Sequence, residues 1–422
     1  MPYANYNSMI KWLRTDYIDK TFWGLFFALI VVSVIALFSA GSTLVYERHS
    51  VLGPIGQQIL FITMGVVVAY GIQFVPSWII RFCGYGLLAL SIIFVYSLLI
   101  PHNPFVVTIN GASRWIRLAG FTFQPSELAK LSLIIVVADL LARIKSEADK
   151  KRYFYWTLGL TAVTAFPIMT GNLSTAILLC GIVFILWVLA RIPWQYLASV
   201  VGISVVLLVL GYAVIEFGFV RPHRSLGGPF KRAITWVSRV DDMIGEKQQT
   251  AATFELNDDN YQRSIAKVAI ARGGKSPVGV LPGNSKERDF LPLAFADYIF
   301  AIIVEESGFI GALALMALYL AILFRACFAS SRFADYASML MVMGLALMIT
   351  CQALISMMVA VGIGPVTGQP LPLISRGGTS VLITSIYFGI MMSVSREQTM
   401  LAARQQATRH ASMNDVPKIT LE

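Results

Sequence analysis

FLPLAFADYIFAIIVEESG, residues 290–308, decides how this chain is read. A polar loop ends here and a long apolar run begins, with Asp297 at the junction. A carboxylate placed at a bilayer centre costs roughly 2.5–3.5 kcal/mol on insertion scales. A chain keeps such a group where it faces water, a partner or a substrate. Asp297 is therefore the first candidate functional residue, and the run after it is a candidate membrane span.

The rest of the chain has the same character. Of its 422 residues, 57% are hydrophobic and 13% charged, and the mean hydropathy is +0.70. A soluble domain carries about 25% charged residues. The net charge of +10 lies between apolar runs. It does not form one basic face, so no nucleic-acid partner is expected. Cys83, Cys180, Cys327 and Cys351 fall inside apolar runs and read as small core-filling side chains. The histidines lack zinc spacing.

Ten runs approach the length a span needs, near 22–40, 56–75, 78–100, 126–144, 154–169, 172–190, 196–219, 298–325, 336–362 and 376–395. The fifth reads as short and broken near Pro167 and Gly171. The first has no small-residue cleavage site after it and reads as an uncleaved helix. The expected fold is an all-α polytopic membrane protein of about ten transmembrane helices. Lys11, Arg14 and Lys20, the 143–152 loop, Arg325 and Arg332, and Arg396, Arg404 and Arg409 share one side. The positive-inside rule makes that side, and both termini, cytoplasmic. Trp78, Trp156 and Trp194 read as interfacial anchors.

Residues 1–396 form one transmembrane domain in this reading, and 397–422 a polar cytoplasmic tail without regular structure. Two outer loops stand out, 101–125 and the large 220–296. Within the latter, residues 260–272 predict an amphipathic helix with Ile265, Val268 and Ala269 on one face. Asp258 and Asp259 start it, and Gly273 and Gly274 stop it. A similar pattern near 230–239 carries Lys231 and Arg232. Together they suggest a basic collar facing anionic lipid head groups.

Three more stretches carry candidate chemistry. In QPSELAK (124–130), Glu127 and Lys130 are spaced to pair on one helix face. In NGASRWIRL (110–118), Arg114 and Arg117 suit phosphate recognition. GPVTGQPLPLISRGGTS (364–380) is an irregular segment that contains Ser375 and Arg376. Such backbone is tolerated at membrane depth only inside protein or along a cavity. All three stretches sit on the same outer side as Asp297.

Joined in this order across ten spans, these motifs resemble the SEDS family (shape, elongation, division and sporulation), which includes FtsW and RodA. The matches are NGASRW, QPSELAK, GNS (283–285), the Asp297 segment with Glu305 and Glu306, and PLPLISRGGTS. The resemblance implies a peptidoglycan glycosyltransferase that polymerises lipid II on the outer face of the cytoplasmic membrane. Asp297 would be the base that deprotonates the acceptor 4-hydroxyl, with undecaprenyl pyrophosphate leaving. Arg114, Lys130, Lys231, Arg232, Arg376 and Ser375 would contact the pyrophosphate or lipid II. Glu127, Glu305, Glu306 and Asn172 would support the site. Glu305 lies two turns beyond Asp297 on the same helical face, about 12 Å deeper. A divalent cation, magnesium or manganese, would suit the pyrophosphate, although no metal-binding motif is visible. The implied partners are a class B penicillin-binding transpeptidase, other cell-division proteins and membrane lipid.

This chain departs from the family pattern beside the acid. Leu293 stands for a glutamate, Ala296 for a threonine and Tyr298 for a phenylalanine. Asn172 and Ser174 replace an aspartate and a glycine, and Arg376 replaces a tyrosine. Pro365-Val366-Thr367-Gly368 looks RodA-like. The Glu305-Glu306 run, Ile374 to Thr379 and the polar tail favour a septal, FtsW-like member. The competing readings are a lipid II transporter and a non-catalytic division scaffold. A transporter would show a polar path through both leaflets, which the outer clustering of polar groups does not suggest.

Overall fold

The computed structural model describes residues 17–40, 52–100, 103–109, 112–118, 121–220, 258–287, 290–291, 297–364 and 367–414. Eleven α-helices fill most of this. They are α1 (Lys20–Ala40), α2 (Leu52–Ile72), α3 (Ser77–Ser97), α4 (Pro125–Ala142), α5 (Glu147–Gly171), α6 (Leu173–Leu189), α7 (Trp194–Ile215), α8 (Asp258–Gly274), α9 (Ile299–Ser330), α10 (Tyr336–Ala360) and α11 (Gly378–Asn414). Each of the ten apolar runs is a helix, and α8 is the eleventh. Seven helices are long and apolar enough to cross a membrane: α1, α2, α3, α7, α9, α10 and α11. Helix α6 is apolar but has only 17 residues, while α4 and α5 carry several charges.

The buried centre is α4, α10 and α11. Helix α4 hides Leu131 through Ala138 all around its axis, as a helix hydrophobic on every side must. Helix α7 is its opposite: Leu197 is the one residue it buries. The anchoring tryptophans Trp78, Trp156 and Trp194 are exposed, as expected.

Several expectations are corrected. Helix α5 is not broken near Pro167. It runs for 25 residues through that proline and stops at Gly171. Its start lies earlier, at Glu147, because Ser146 and Asp149 form a reciprocal capping box. Cys83, Cys180 and Cys327 do not fill the core; they are exposed on helix surfaces. The tail is not irregular: α11 continues to Asn414, through a stretch rich in strong helix formers such as alanine, arginine and glutamine.

The 101–125 loop adds a small antiparallel meander of β1 (Val106–Ile109), β2 (Ala112–Leu118) and β3 (Phe121–Phe123). Val106 pairs with Ile116, and Ile116 with Phe123. Strand alternation sends Arg114 and Ile116 to one face and Trp115 and Arg117 to the other. Ile116 is buried and Arg117 exposed. Of the two arginines, Arg114 is the one turned toward the helices.

Helix α9 is 32 residues long, about 48 Å at 1.5 Å per residue. That exceeds a hydrocarbon core of about 30 Å. The excess is resolved by a break at Gly308, where φ is +68° and ψ −164°. Only glycine populates that region readily. The break is stitched to the segment after α8. Val280 and Leu281 donate their amides to the carbonyls of Glu305 and Glu306 at 3.0 and 2.9 Å, and Phe309 donates to Ser276 at 3.2 Å. A side chain on Gly308 would meet the Gly279 nitrogen at 2.4 Å.

Helix α8 exists where expected, but its faces differ. It buries Arg263, Ala266 and Ala269 and leaves Val268 exposed. Arg272 points to Glu305 and Glu287, at 3.5 and 3.7 Å. The helix packs onto α9 because its small side chains permit close approach there. It does not present one apolar face to lipid. The second predicted amphipathic helix, with Lys231 and Arg232, lies outside the described residues.

Candidate active site

Asp297 is half-buried, two residues before the start of α9. Gly368, in the segment between α10 and α11, lies beside it. A Cβ built on Gly368 would lie 3.6 Å from Asp297 Oδ2 and 3.4 Å from Arg114 Nη1. The carboxylate and the guanidinium thus both approach one backbone position, although 183 residues separate them in the chain. Gly368 has φ +58°, which suits glycine and leaves this space open.

Arg114 donates from Nε to the Gly171 carbonyl at 2.8 Å. That carbonyl ends α5, so the arginine also closes a helix C-terminus. Asn172 follows immediately. Its side-chain oxygen caps α6 through the Thr175 amide at 3.3 Å, and its Nδ2 donates to the Thr367 carbonyl at 3.3 Å. A short polar side chain at this junction does structural work that the aspartate of the family pattern could do only in part, since a carboxylate has no N–H to give Thr367.

The 367–375 segment has no regular structure, and side chains from four helices hold it. Gln369 donates to Thr175 on α6. The Pro370 carbonyl accepts from Gln352 on α10 at 3.0 Å, the Pro372 carbonyl from Tyr319 on α9 at 2.6 Å, and the Leu373 carbonyl from Ser33 on α1 at 2.8 Å. Gln352 in turn accepts from Lys130 on α4 at 2.8 Å, and Lys130 pairs with Glu127 at 2.7 Å. Each buried carbonyl left without a partner would cost about 1–3 kcal/mol. The Thr367 hydroxyl, beside Gly368, is buried with no hydrogen-bond partner among the described residues.

The other expected residues fall as follows. Lys130 is fully buried and committed to Glu127 and Gln352. Ser375 is buried and accepts the Leu371 amide at 2.8 Å. Arg376 is half-buried at the end of the segment. Glu305, fully buried, accepts from Ser285 and, at 3.2 Å, from the Lys286 amide. Glu306 accepts from Ser39 and, at 2.9 Å, from the Gly283 amide. Both acids therefore hold the 283–286 turn against α9. Sequence reasoning did not single out Gly368, Gln352, Tyr319, Thr175 or Ser33. The available signal was a polar side chain inside an apolar run.

Magnesium is usually held by one or two carboxylates plus substrate phosphates. Here Asp297 stands beside a guanidinium, and no group of three metal-ligating side chains occurs among the described residues. The donor set among the described residues does not build a metal cage.

Comparison with known proteins matches this architecture. The family model for cell cycle proteins of the FtsW, RodA and SpoVE type matches residues 19–400. The chain belongs to this family. Similar curated members include the peptidoglycan glycosyltransferase MrdB of Escherichia coli K12, 27% identical over 94% of this chain and 98% of that protein. Another is the probable peptidoglycan glycosyltransferase FtsW of Saccharophagus degradans, 30% identical over 87% and 91%. Among solved structures, a chain from a peptidoglycan synthase complex that coordinates polymerization and crosslinking superposes with a TM-score of 0.67. It is 24% identical and covers 90% of this chain and 98% of that one. The rod shape determining protein RodA of Thermus thermophilus gives 0.63 at 22% identity, covering 92% and 99%. At that identity the likeness concerns the fold, and it makes the family a polytopic membrane architecture.

Proposed function

We propose that this chain polymerises lipid II into glycan strands, with Asp297 as general base. The observation that carries the reading is the placement of a half-buried carboxylate and a guanidinium together beside Gly368. Membership of a family whose curated members are named peptidoglycan glycosyltransferases supports it. Asp297 takes the proton of the acceptor 4-hydroxyl as that oxygen bonds to the donor's anomeric carbon. The bond from that carbon to pyrophosphate oxygen breaks, and undecaprenyl pyrophosphate leaves with the electron pair. Arg114 supplies positive charge for the leaving group. Arg376, Lys231 and Arg232 are further proposed contacts. Lys130, Glu127, Asn172 and Ser375 hold the site segment, and Glu305 and Glu306 hold the turn beside α9.

In this reading all ten helices that match the apolar runs cross the cytoplasmic membrane, both termini lie inside, and the Asp297 end faces out. The break at Gly308 makes residues 299–307 a re-entrant turn and leaves 309–330 to cross. The lysine and arginine distribution supports the orientation. A class B penicillin-binding transpeptidase is the proposed partner, and septal growth the proposed setting. A fluorescent fusion enriched along the side wall instead of the septum would favour an elongation role.

The test is polymerisation of labelled lipid II by the purified chain with its transpeptidase. Asp297→Asn is expected to reduce it by about 10²–10⁴-fold, the usual contribution of a positioned base, with melting unchanged. Full polymerisation by the variant removes the catalytic assignment. Flipping of lipid II in liposomes without polymer would favour a transporter.

A further inference from the structure

A cleft of about 920 Å³ opens at the end of the bundle away from Asp297. It lies between the α4–α5 turn, the C-terminus of α6 and the start of α10. Lys145, Lys150 and Arg191 line it, with Glu147 and Tyr336. Lys150 is paired with Glu147 at 2.6 Å. Among the described residues, neither Lys145 nor Arg191 has a carboxylate in ion-pair range. The nearby Asp149 side chain is taken up by the Ser146 hydroxyl and by the backbone amides of Lys145 and Ser146.

Arg191 is the informative residue. It follows α6 with φ +54°, in the left-handed region. Its amide donates to Val188 at 3.0 Å and the Ile192 amide to Trp187 at 3.0 Å, which is a helix stop that normally carries glycine. The chain keeps a guanidinium at a position where glycine would be the more stable choice. A side chain held in a disfavoured conformation, over a cavity with a second unpaired cation, points to an anion. Tyr336 fixes the same corner by donating to the Leu189 carbonyl at 2.7 Å.

Apolar Val188 and Met339 also line the cleft, and Val188 is half exposed. Exposed Trp194, the first residue of α7 and three residues past Arg191, marks the level of the head groups. Cationic rim, apolar lining and depth together fit a phospholipid better than a free ion.

We propose that this cleft binds the phosphate head group of an anionic phospholipid in the leaflet at that end, with Arg191 and Lys145 as its ligands. Assigning that leaflet to the cytoplasmic side rests on the orientation proposed above; the binding itself does not depend on the catalytic reading.

The test uses the full chain in neutral detergent, titrated with phosphatidylglycerol or phosphatidylcholine and read by native mass spectrometry. Wild type is expected to retain phosphatidylglycerol selectively. Each of Arg191→Gly and Lys145→Gln should weaken it about fivefold, the effect of about one surface cation. Arg191→Gly should melt no lower than wild type, because glycine suits that backbone, so lost binding would not be lost folding. Asp297→Asn should bind the lipid normally, which keeps this result separate from the polymerisation assay. Unchanged binding in both cation variants, equal binding of phosphatidylcholine, or displacement by millimolar inorganic phosphate would each overturn the proposal.

Discussion

The two ends of the helix bundle handle polarity in opposite ways. At the Asp297 end, neutral side chains bond to backbone carbonyls: Gln352, Tyr319 and Ser33 hold Pro370, Pro372 and Leu373. At the other end, charges bond to charges. Asp19 accepts from Arg325 at 2.5 Å and from Ser395 at 2.7 Å, joining α1, α9 and α11. Arg81 reaches Asp335 at 2.8 Å and Asp139 at 3.8 Å, and Arg143 reaches Asp139 at 2.6 Å. One end cancels its charges to lock helices together. The other holds an irregular segment with uncharged groups, one of them backed by the buried Lys130–Glu127 pair, and brings a carboxylate and a guanidinium to Gly368. The difference teaches where chemistry can occur: one end spends its charges on joining helices, and the other brings two charged side chains to a loop that helix side chains hold in place.

Substitutions should separate these roles. The largest effect should be the loss of about 10²–10⁴ in polymerisation by Asp297→Asn without a change in melting. A destabilised Asp297→Asn protein would place the residue with the frame. Gly308→Ala should cost about 3 kcal/mol or more, from a disfavoured backbone and a close clash with the Gly279 amide. Its readout is the melting temperature in detergent, and wild-type melting would remove the argument for the break. Asp19→Ala should cost about 3 kcal/mol, since it strands a largely buried arginine. Activity per folded molecule should not change. A drop in that activity would mean that the two ends are coupled.

Gln352→Ala should cost about 1–2 kcal/mol and should also lower polymerisation, because it frees the Pro370 carbonyl next to the site. If melting falls but activity per folded molecule holds, the segment tolerates slack. The smallest effect belongs to Asp149→Ala. Hydrogen bonds from Ser146 and the Lys145 amide hold the Asp149 carboxyl below its usual range. Its folded value is therefore the depressed one. The stability it contributes is present above the unfolded carboxylate value and fades as pH falls through the folded value. Acid melting curves of wild type and variant should converge at low pH and separate only slightly near neutrality.

Much of the frame was legible in local pattern. The ten apolar runs are helices, Glu127 and Lys130 pair as their spacing required, and Asp258 and Gly273-Gly274 bracket α8. The errors were local too. A proline was read as a break in α5, where the helix continues through it. Arginine, alanine and glutamine residues after 397 were read as an irregular tail, where they prolong α11. In both cases polarity and punctuation were weighed above helix propensity.

The sequence by itself determined the membrane architecture and singled out Asp297, because length, hydropathy and a misplaced charge are properties of neighbouring residues. It also marked Arg114 as a candidate for phosphate recognition and Asn172 as a departure from the family pattern. Only the tertiary structure decided what surrounds Asp297. Ser33 meets the Leu373 carbonyl across 340 residues of chain, and Arg114 meets Gly171 across 57. Such contacts follow from packing separate helices at one end of a bundle, and no local period encodes them. That packing makes Gly368 the point where Asp297 and Arg114 meet, and turns Glu305 from a deeper acid into a clamp on the 283–286 turn.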